Sequence, residues 1–242
     1  MFDILNNIDL IYARDPLSYQ YLNDLNPSAT EKIKLAGDFT VLLKPNASDY
    51  INTRWFQGKA CFVPNKRMID KNSCSKSEYI SFFQFVVAYL GKNNLDLFIL
   101  VHEDNDLVLA QELCNATDEQ VQILVEKDPL VLKAILGSTY LNIVSRFHAA
   151  VSSLSQAVPT IGTGWSHKYD YLFRDFQSEA FLVQHLNDSH FIAGLIDNIL
   201  NPSSRAEMVL ELSRLSQLRE SDVFKMWEDV FTLLYSDSPR DL

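Results

Sequence analysis

The sequence predicts an α/β fold in which a Rossmann-like parallel sheet carries helices on both faces. Two observations support this prediction. Short apolar runs alternate with helical patterns along most of the chain, an order that is typical of βαβ units. The 242 residues are 47% hydrophobic, which is enough for one large domain, or one domain and part of another, with a well-buried core.

The first 55 residues are too few to form a doubly wound domain of their own. We predict a strand over residues 8–13, a helix that begins at Asp15-Pro16, and further strands near residues 33–35 and 39–43. Asp15 suits the N-cap and Pro16 the first helical position. Residues 1–55 are therefore predicted to be a remnant of the N-terminal domain of a two-domain protein. The alternative is that these strands join the edge of a single sheet.

The second series of elements, in residues 56–242, is complete enough for a Rossmann-like domain with terminal helices. Its predicted strands are residues 60–63, 95–101, 121–125, 141–144, 160–161 and 181–183. Its predicted helices are residues 77–90, 106–114, 129–136, 149–156, 169–176, 190–200 and 205–234. Asp128-Pro129 marks one helix start, Gly137 ends the same helix, and Asn201-Pro202 separates the last two helices.

The composition argues against several kinds of partner and site. The net charge of −10 and the pI near 4.9 disfavour nucleic acid and anionic membranes, since both attract basic surfaces. The three cysteines are widely spaced without a CxxC pair, so neither a disulfide framework nor a zinc site is indicated. The N-terminus does not resemble a signal peptide, and no apolar run approaches the roughly 20 residues of a transmembrane helix. We expect a cytoplasmic protein without a transmembrane segment.

Cationic side chains follow several of the predicted strands, at the ends where open α/β sheets bind their ligands. They are Arg14, His102, Arg146, His148 and Lys168. Helix N-termini at these positions add N–H donors and partial positive charge. The shared position predicts a site for a phosphate or a carboxylate. Taken singly, Arg14 is also explained as a surface ion pair, and His102 and Lys168 as solvated surface side chains.

Other common chemistries lack their fingerprints in this sequence. Gly162-Thr163-Gly164 does not complete a GxGxxG motif, and no GxxxxGK[ST] P-loop occurs. No GxSxG elbow marks a serine nucleophile. The acidic pair Glu103 and Asp104 suits a helix cap better than a glycosidase site. The anion site is therefore the functional feature that the residues themselves support.

Four segments resemble the polysaccharide pyruvyltransferase family, in its order and at its approximate spacings. They are Ile11-Tyr12-Ala13-Arg14-Asp15-Pro16-Leu17-Ser18, Phe62-Val63-Pro64-Asn65, Val101-His102-Glu103 with Asp106, and Ser145-Arg146-Phe147-His148-Ala149 followed by Val158-Pro159-Thr160-Ile161 and Lys168. The resemblance covers residues 8–176. Its most specific part is the Arg-x-His element of Arg146 and His148, followed by a small helix and a Val-Pro strand.

The resemblance implies the C-terminal half of a GT-B-like architecture and a transferase of cell-surface polysaccharide biosynthesis. It implies phosphoenolpyruvate as the donor, a saccharide or lipid-linked saccharide as the acceptor, and neither a metal nor a cofactor. The implied catalytic residues are Arg14, Arg146 and His148. The implied substrate-binding residues are Ser18, His102, Lys168 and Ser145.

These residue types suit that chemistry, because phosphoenolpyruvate carries a carboxylate and a phosphate that an arginine fork binds bidentately. Histidine can move the proton that the donor needs at C3. The chain lacks most of the family's N-terminal domain with its glycine-rich opening, so a second chain or a homo-oligomer would complete the cleft. Two alternatives stay open: a GT-B glycosyltransferase with a nucleotide-sugar donor, and a truncated or split non-catalytic module.

Overall fold

The computed structural model describes residues 7–25, 27–46, 52–71 and 73–236. The chain divides into two units. The leading unit is Met1–Leu42 with Gln217–Leu242, and the large unit is Leu43–Ser216. Within the described ranges, no helix has both the length and the apolar character that crossing a bilayer requires.

In the leading unit, strand β1 (Ile11–Ala13) pairs in parallel with strand β2 (Ile33–Leu35), and helix α1 (Pro16–Leu25) lies between them in the chain. Asp15 caps α1, as the sequence predicts, because its Oδ1 accepts a hydrogen bond from the backbone N–H of Ser18 at 2.8 Å. The two strands form a sheet of their own. The alternative in which they extend the larger sheet is therefore wrong.

The strand predicted over residues 39–43 is wrong, since Phe39–Leu42 is a 3-10 helix. The side chain of Asp38 explains this turn: its Oδ1 accepts hydrogen bonds from the backbone N–H of Thr40 at 3.0 Å and from the Thr40 hydroxyl at 2.5 Å. A second 3-10 helix, Pro27–Lys32, precedes β2. An apolar run predicts a strand from its side-chain pattern alone, and that pattern does not register such local bonds.

The large unit contains a sheet of six parallel strands, and short apolar runs supply them as predicted. The strands are β3 (Ala60–Val63), β4 (Leu97–Val101), β5 (Gln122–Val125), β6 (Leu141–Val144), β7 (Thr160–Thr163) and β8 (Leu182–Val183). Their order across the sheet is β5-β4-β3-β6-β7-β8. Numbered from the first strand of the sheet, this is 3-2-1-4-5-6, the order of the Rossmann fold. All residues of β3, β6 and β7 are buried, as expected when helices cover both faces of a parallel sheet.

Helices connect these strands, and side-chain caps begin several of them. The helices are α2 (Arg67–Asp70), α3 (Lys76–Lys92), α4 (Leu107–Asn115), α5 (Pro129–Ser138), α6 (Phe147–Leu154), α7 (Lys168–Asp175), α8 (Ser189–Leu200) and α9 (Pro202–Ser236). Ser75 and Glu78 form a reciprocal capping box at the start of α3. Asp128 caps α5, with Pro129 at its first position. The sequence did not predict α2, which has only one turn.

Helix α6 begins at Phe147, two residues before the predicted start. His148 therefore lies in the first turn of the helix and not in the preceding loop. Helix α9 begins directly after Asn201, at the predicted break; its residues up to Ser216 belong to the large unit and those from Gln217 on to the leading unit.

The core holds the centre of the sheet in place. Helices α4 and α8 pack beside α3, whereas α5 and α7 pack beside α6. The ring of Phe62 on β3 is fully buried. Its centroid lies 6.1 Å from the ring centroid of Tyr79 and 5.0 Å from that of Phe83, and both of these residues are on α3. Such packing fixes where the carboxyl end of β3 meets its neighbours. The predicted α/β, Rossmann-like fold is confirmed.

Candidate active site

The strand order creates a topological switch point at β3 and β6. The chain leaves β3 toward β4 on one side, and the later strands β6, β7 and β8 lie on the other side. In open α/β sheets the crevice outside the carboxyl ends of such strands binds the ligand. The segments that lead out of β3, β4 and β6 there begin with Pro64, His102 and Ser145. Two of the predicted site residues, His102 and Ser145, therefore start loops at this edge.

The loop after β6 is held by a buried network around Ser145, which is 1% exposed. Its hydroxyl lies 2.6 Å from the hydroxyl of Tyr79 and 2.6 Å from that of Thr163. Its carbonyl oxygen accepts hydrogen bonds from Asn65 Nδ2 at 2.9 Å and from the Tyr169 hydroxyl at 2.8 Å. Burial raises the pKa of Tyr169 to about 12, so the phenol stays a donor at neutral pH. The direct role of Ser145 in substrate binding remains a prediction.

Arg146 occupies the N-cap position of α6, and its side chain is paired with two carboxylates. Its Nε and Nη2 donate to Oδ2 of Asp106 at 2.7 Å and 2.6 Å. Its Nη1 lies 2.5 Å from Oε1 of Glu103. The Arg146 side chain is 13% exposed, so the guanidinium is largely enclosed by this bonding. A planar fork with fixed donors is suited to binding oxyanions of defined geometry.

Asp106 is the residue that anchors this arginine. Its side chain has 0% exposure, and its Oδ1 accepts the backbone N–H of Lys66 at 2.9 Å. Burial raises the pKa of the Asp106 carboxyl, while the bond from Lys66 and the charge of Arg146 oppose that rise. Asp106 thus connects the segments after β3, β4 and β6. The sequence showed Asp106 only as a motif residue, because a partner 40 residues away leaves no local pattern.

The two histidines of the site differ in their surroundings. His102 follows β4, and burial, together with the charges of Arg146 and His148, lowers its pKa to about 4. His102 is therefore neutral at pH 7. His148 occupies the second position of α6, is exposed, and has its ring centroid 5.5 Å from that of Phe147. The charges of Arg146 and His148 thus both act on the ring of His102.

Lys168 opens α7 and lies over aromatic rings. Its Nζ is 4.8 Å from the ring centroid of Phe147, 5.3 Å from that of Trp165 and 5.6 Å from that of Tyr169. Such contacts stabilise a cation and fix its position. Because Phe147 lies between Arg146 and His148 in the chain, the structure brings Lys168 to the same edge of the sheet. Five predicted site residues lie at this edge: His102, Ser145, Arg146, His148 and Lys168.

Arg14 and Ser18 lie in the leading unit. Arg14 directly follows β1, and its Nη1 lies 3.3 Å from Oδ2 of Asp38, with the arginine side chain 40% exposed. The hydroxyl of Ser18 donates to Oδ2 of Asp15 at 2.8 Å, in the cap of α1. The functional roles of both residues remain predictions.

The assembled side chains offer positive charge and N–H donors to an anion. In the part of the chain that the structure describes, no group of three or more His, Cys, Asp or Glu side chains is placed to hold a metal. The cations and N–H donors of Arg146, Lys168 and the α6 N-terminus lie where a carboxylate or phosphate would gain from them. The arrangement can therefore bind an oxyanion beside a histidine.

Several solved structures share this fold at low sequence identity. A Listeria monocytogenes protein assigned as a UDP-N-acetylglucosamine 2-epimerase has a TM-score of 0.65 at 10% identity, over 97% of this chain and 62% of its own. Staphylococcus aureus MnaA, solved with UDP, has a TM-score of 0.62 at 11% identity, over 99% of this chain and 64% of its own. A mutant of Staphylococcus aureus TarM in complex with fondaparinux, alpha-GlcNAc-glycerol and UDP has a TM-score of 0.60 at 14% identity, over 94% and 44%.

The chain thus spans less than two thirds of the length of these structures. No protein with a curated description matches the sequence significantly. The family profile of polysaccharide pyruvyl transferases matches residues 1–167, a range that contains Arg14, His102, Arg146 and His148 and ends directly before Lys168. With more than half of its residues in that match, the chain belongs to the polysaccharide pyruvyl transferase family.

Proposed function

We propose that this protein transfers pyruvate from phosphoenolpyruvate to a pair of hydroxyls on a saccharide or lipid-linked saccharide, forming a ketal in cell-surface polysaccharide synthesis. The observation that carries the proposal is the clustering of His102, Arg146 and His148 at the switch point of the sheet, in a member of this family. The proposed donor is a metabolite of the cytoplasm, and we propose that the protein acts there.

Donor binding is assigned to Arg146 and Lys168. Phosphoenolpyruvate carries a carboxylate and a phosphate, and both are oxyanions that an arginine fork binds through charge-assisted hydrogen bonds. Lys168 adds a second positive charge, steadied by the rings of Phe147 and Trp165. In an acidic chain, this local positive charge gives the donor a defined place to bind.

Proton transfer is assigned to His148. A proton added to C3 of the donor generates an oxocarbenium-like centre at C2, which one sugar hydroxyl attacks; the second hydroxyl replaces the phosphate, which leaves. The two hydroxyl protons are balanced by the proton gained at C3 and by the proton that departs with phosphate. Burial lowers the pKa of His102 to about 4, so the imidazole is neutral at pH 7 and we do not assign it the role of the acid. His148, exposed in the first turn of α6, is the histidine placed to move it.

Arg14 and Ser18 are assigned to the donor and to substrate binding on the basis of their family motif. The backbone carbonyl of Ser145 anchors the loop after β6. We assign to this loop the contact with substrate that the family motif implies for Ser145.

A binding titration tests the donor assignment. Phosphoenolpyruvate is titrated into the full chain, with inorganic phosphate as the reference anion. We expect phosphoenolpyruvate to bind more tightly than phosphate, and Arg146→Ala to weaken its binding roughly 10- to 100-fold, since a hydrogen bond to a charged group is lost. Arg214→Ala, which removes an exposed arginine paired with Glu211, is the matched control. Equal affinity for phosphoenolpyruvate and phosphate would refute the assignment of phosphoenolpyruvate as the donor.

The role of His148 is tested by separating binding from transfer. His148→Ala should bind phosphoenolpyruvate within a few-fold of the wild type, while phosphate release with a panel of saccharide acceptors falls roughly 10²- to 10⁴-fold. His190 is the matched control, because it is also exposed and also occupies the second position of a helix, α8. Undiminished transfer by His148→Ala would remove this histidine from the mechanism.

A second candidate function is sugar transfer from a nucleotide-sugar donor. It is favoured by the structures of MnaA and TarM, which share the fold and were solved with UDP. Tight binding of UDP together with absent binding of phosphoenolpyruvate would support this candidate over the first.

A further inference from the structure

The fork of Arg146 is divided between two carboxylates that differ sharply in burial. Asp106 has 0% side-chain exposure, whereas Glu103 has 53%. Asp106 takes the Nε and Nη2 donors of the arginine, and Glu103 takes Nη1 at 2.5 Å. Because of this difference in exposure, breaking the ion pair with Asp106 costs more free energy than breaking the one with Glu103.

Asp106 is held in place. Besides Arg146, it accepts the backbone N–H of Lys66 at 2.9 Å, so its departure would leave a backbone donor unsatisfied. Removing one partner of a buried ion pair leaves an uncompensated charge, which is strongly unfavourable. Asp106 is therefore a permanent positioning residue for Arg146.

Glu103 can leave at little cost. Its side chain faces water, and ion pairs with one well-exposed partner contribute little to stability. Its backbone carbonyl still accepts the N–H of Asp106 at 2.9 Å, so the turn at Asp104–Asp106 is kept when the side chain rotates away. Glu103 and Asp106 together also outweigh the single charge of Arg146, and His102 is neutral at pH 7. Lys168 is another positive charge at this edge, so an incoming anion gains the charge of Arg146 only when Glu103 moves.

We propose that the Glu103 carboxylate holds the position at Arg146 Nη1 that an oxyanion of the donor takes, so that donor and Glu103 compete for this arginine. This inference rests on the proposed function in assigning Arg146 to the donor. Glu103 acts as an internal competitor: it weakens the binding of every anion and favours ligands whose charge is high enough to displace it. The competing group is a phosphate or a carboxylate, since either matches the arginine fork.

The test compares Glu103→Gln with the wild type in titrations with inorganic phosphate and, separately, with pyruvate as a simple carboxylate. We expect Glu103→Gln to bind at least one of the two anions about three- to fivefold more tightly, the scale of one partly exposed ion pair. The anion that gains identifies the group that replaces Glu103. The matched control is Glu112→Gln, which removes the same charge from a carboxylate 39% exposed and 2.8 Å from Lys76.

The gain must also depend on Arg146, so Arg146→Ala in the Glu103→Gln background should abolish it. Equal or weaker binding of both anions by Glu103→Gln, no detectable binding by either protein, or the same gain in Glu112→Gln would overturn the inference. The proposed function fails by a different result. If phosphoenolpyruvate binds the wild type no more tightly than phosphate, the proposed donor is wrong. The titrations with phosphate and pyruvate still decide the role of Glu103 in that case.

Discussion

The two arginines predicted to bind the donor are held by very different surroundings. Arg146 in the large unit is 13% exposed and bonded to a fully buried carboxylate, on a loop fixed by the Ser145 network. Arg14 in the leading unit is 40% exposed, and its Nη1 lies 3.3 Å from Asp38. Helix α1, all of whose residues are described, has none that is buried. The comparison teaches that position after a parallel strand does not by itself enclose a side chain; the packing beneath the loop does.

The largest expected difference between the units concerns the two aspartates. Asp106→Ala should lower the free energy of unfolding by about 3–5 kcal/mol, because it leaves Arg146 without its buried partner and the Lys66 N–H unsatisfied. Asp38→Ala should cost only about 1–2 kcal/mol, since it loses local turn bonds and an ion pair whose arginine is 40% exposed. Urea unfolding followed by circular dichroism measures both. Equal costs would break the comparison.

The pH dependence of stability sharpens the description of the large unit. His102 has a pKa of about 4 in the folded protein against an ordinary 6.5, so between these values the unfolded chain binds a proton that the folded chain does not. Stability rises with pH in this window and is lost as the pH falls through it. From pH 7 to pH 5 the loss should be about 2 kcal/mol.

The variant His102→Gln stays uncharged and should therefore lack that part of the slope. Urea unfolding of wild type and variant at pH 7 and pH 5 gives the comparison. Identical slopes in the two proteins would show that His102 is not shielded from protonation in the fold.

The smallest expected effects separate the two serines. Ser145→Ala should cost about 1–2 kcal/mol, because the buried hydroxyls of Tyr79 and Thr163 both lose a partner. Ser18→Ala should cost about 0.5 kcal/mol, since the Asp15 cap keeps its bond from the Ser18 backbone. Thermal unfolding of both variants ranks them, and a larger loss for Ser18→Ala would contradict the ranking.

Signals that are local in the chain predicted most of the fold. Apolar runs gave the strands of the six-stranded sheet, and Asp15-Pro16 and Asp128-Pro129 gave helix starts that the structure confirms. The errors arose where a side chain reshapes its own backbone, as Asp38 does before Phe39–Leu42. Periodicity averages over such bonds and does not reveal them.

The site was predictable only in its outline. Position after strands located His102, Arg146, His148 and Lys168, because all parallel strands end at one edge of the sheet. The contacts of Glu103 and Asp106 with Arg146 join residues that are 40 or more positions apart, and they follow from strand order rather than from spacing in the sequence. The contact between the hydroxyls of Tyr79 and Ser145 could not be predicted either, because it depends on how α3 packs against β3.

The carbonyl oxygen of Ser145 receives Asn65 Nδ2 and the Tyr169 hydroxyl. Every amino acid supplies a main-chain carbonyl. The position of the Arg-x-His element therefore depends more on the side chains that donate to this carbonyl than on which residue stands at position 145. Anyone transplanting this element to another scaffold would have to carry the asparagine and the tyrosine with it.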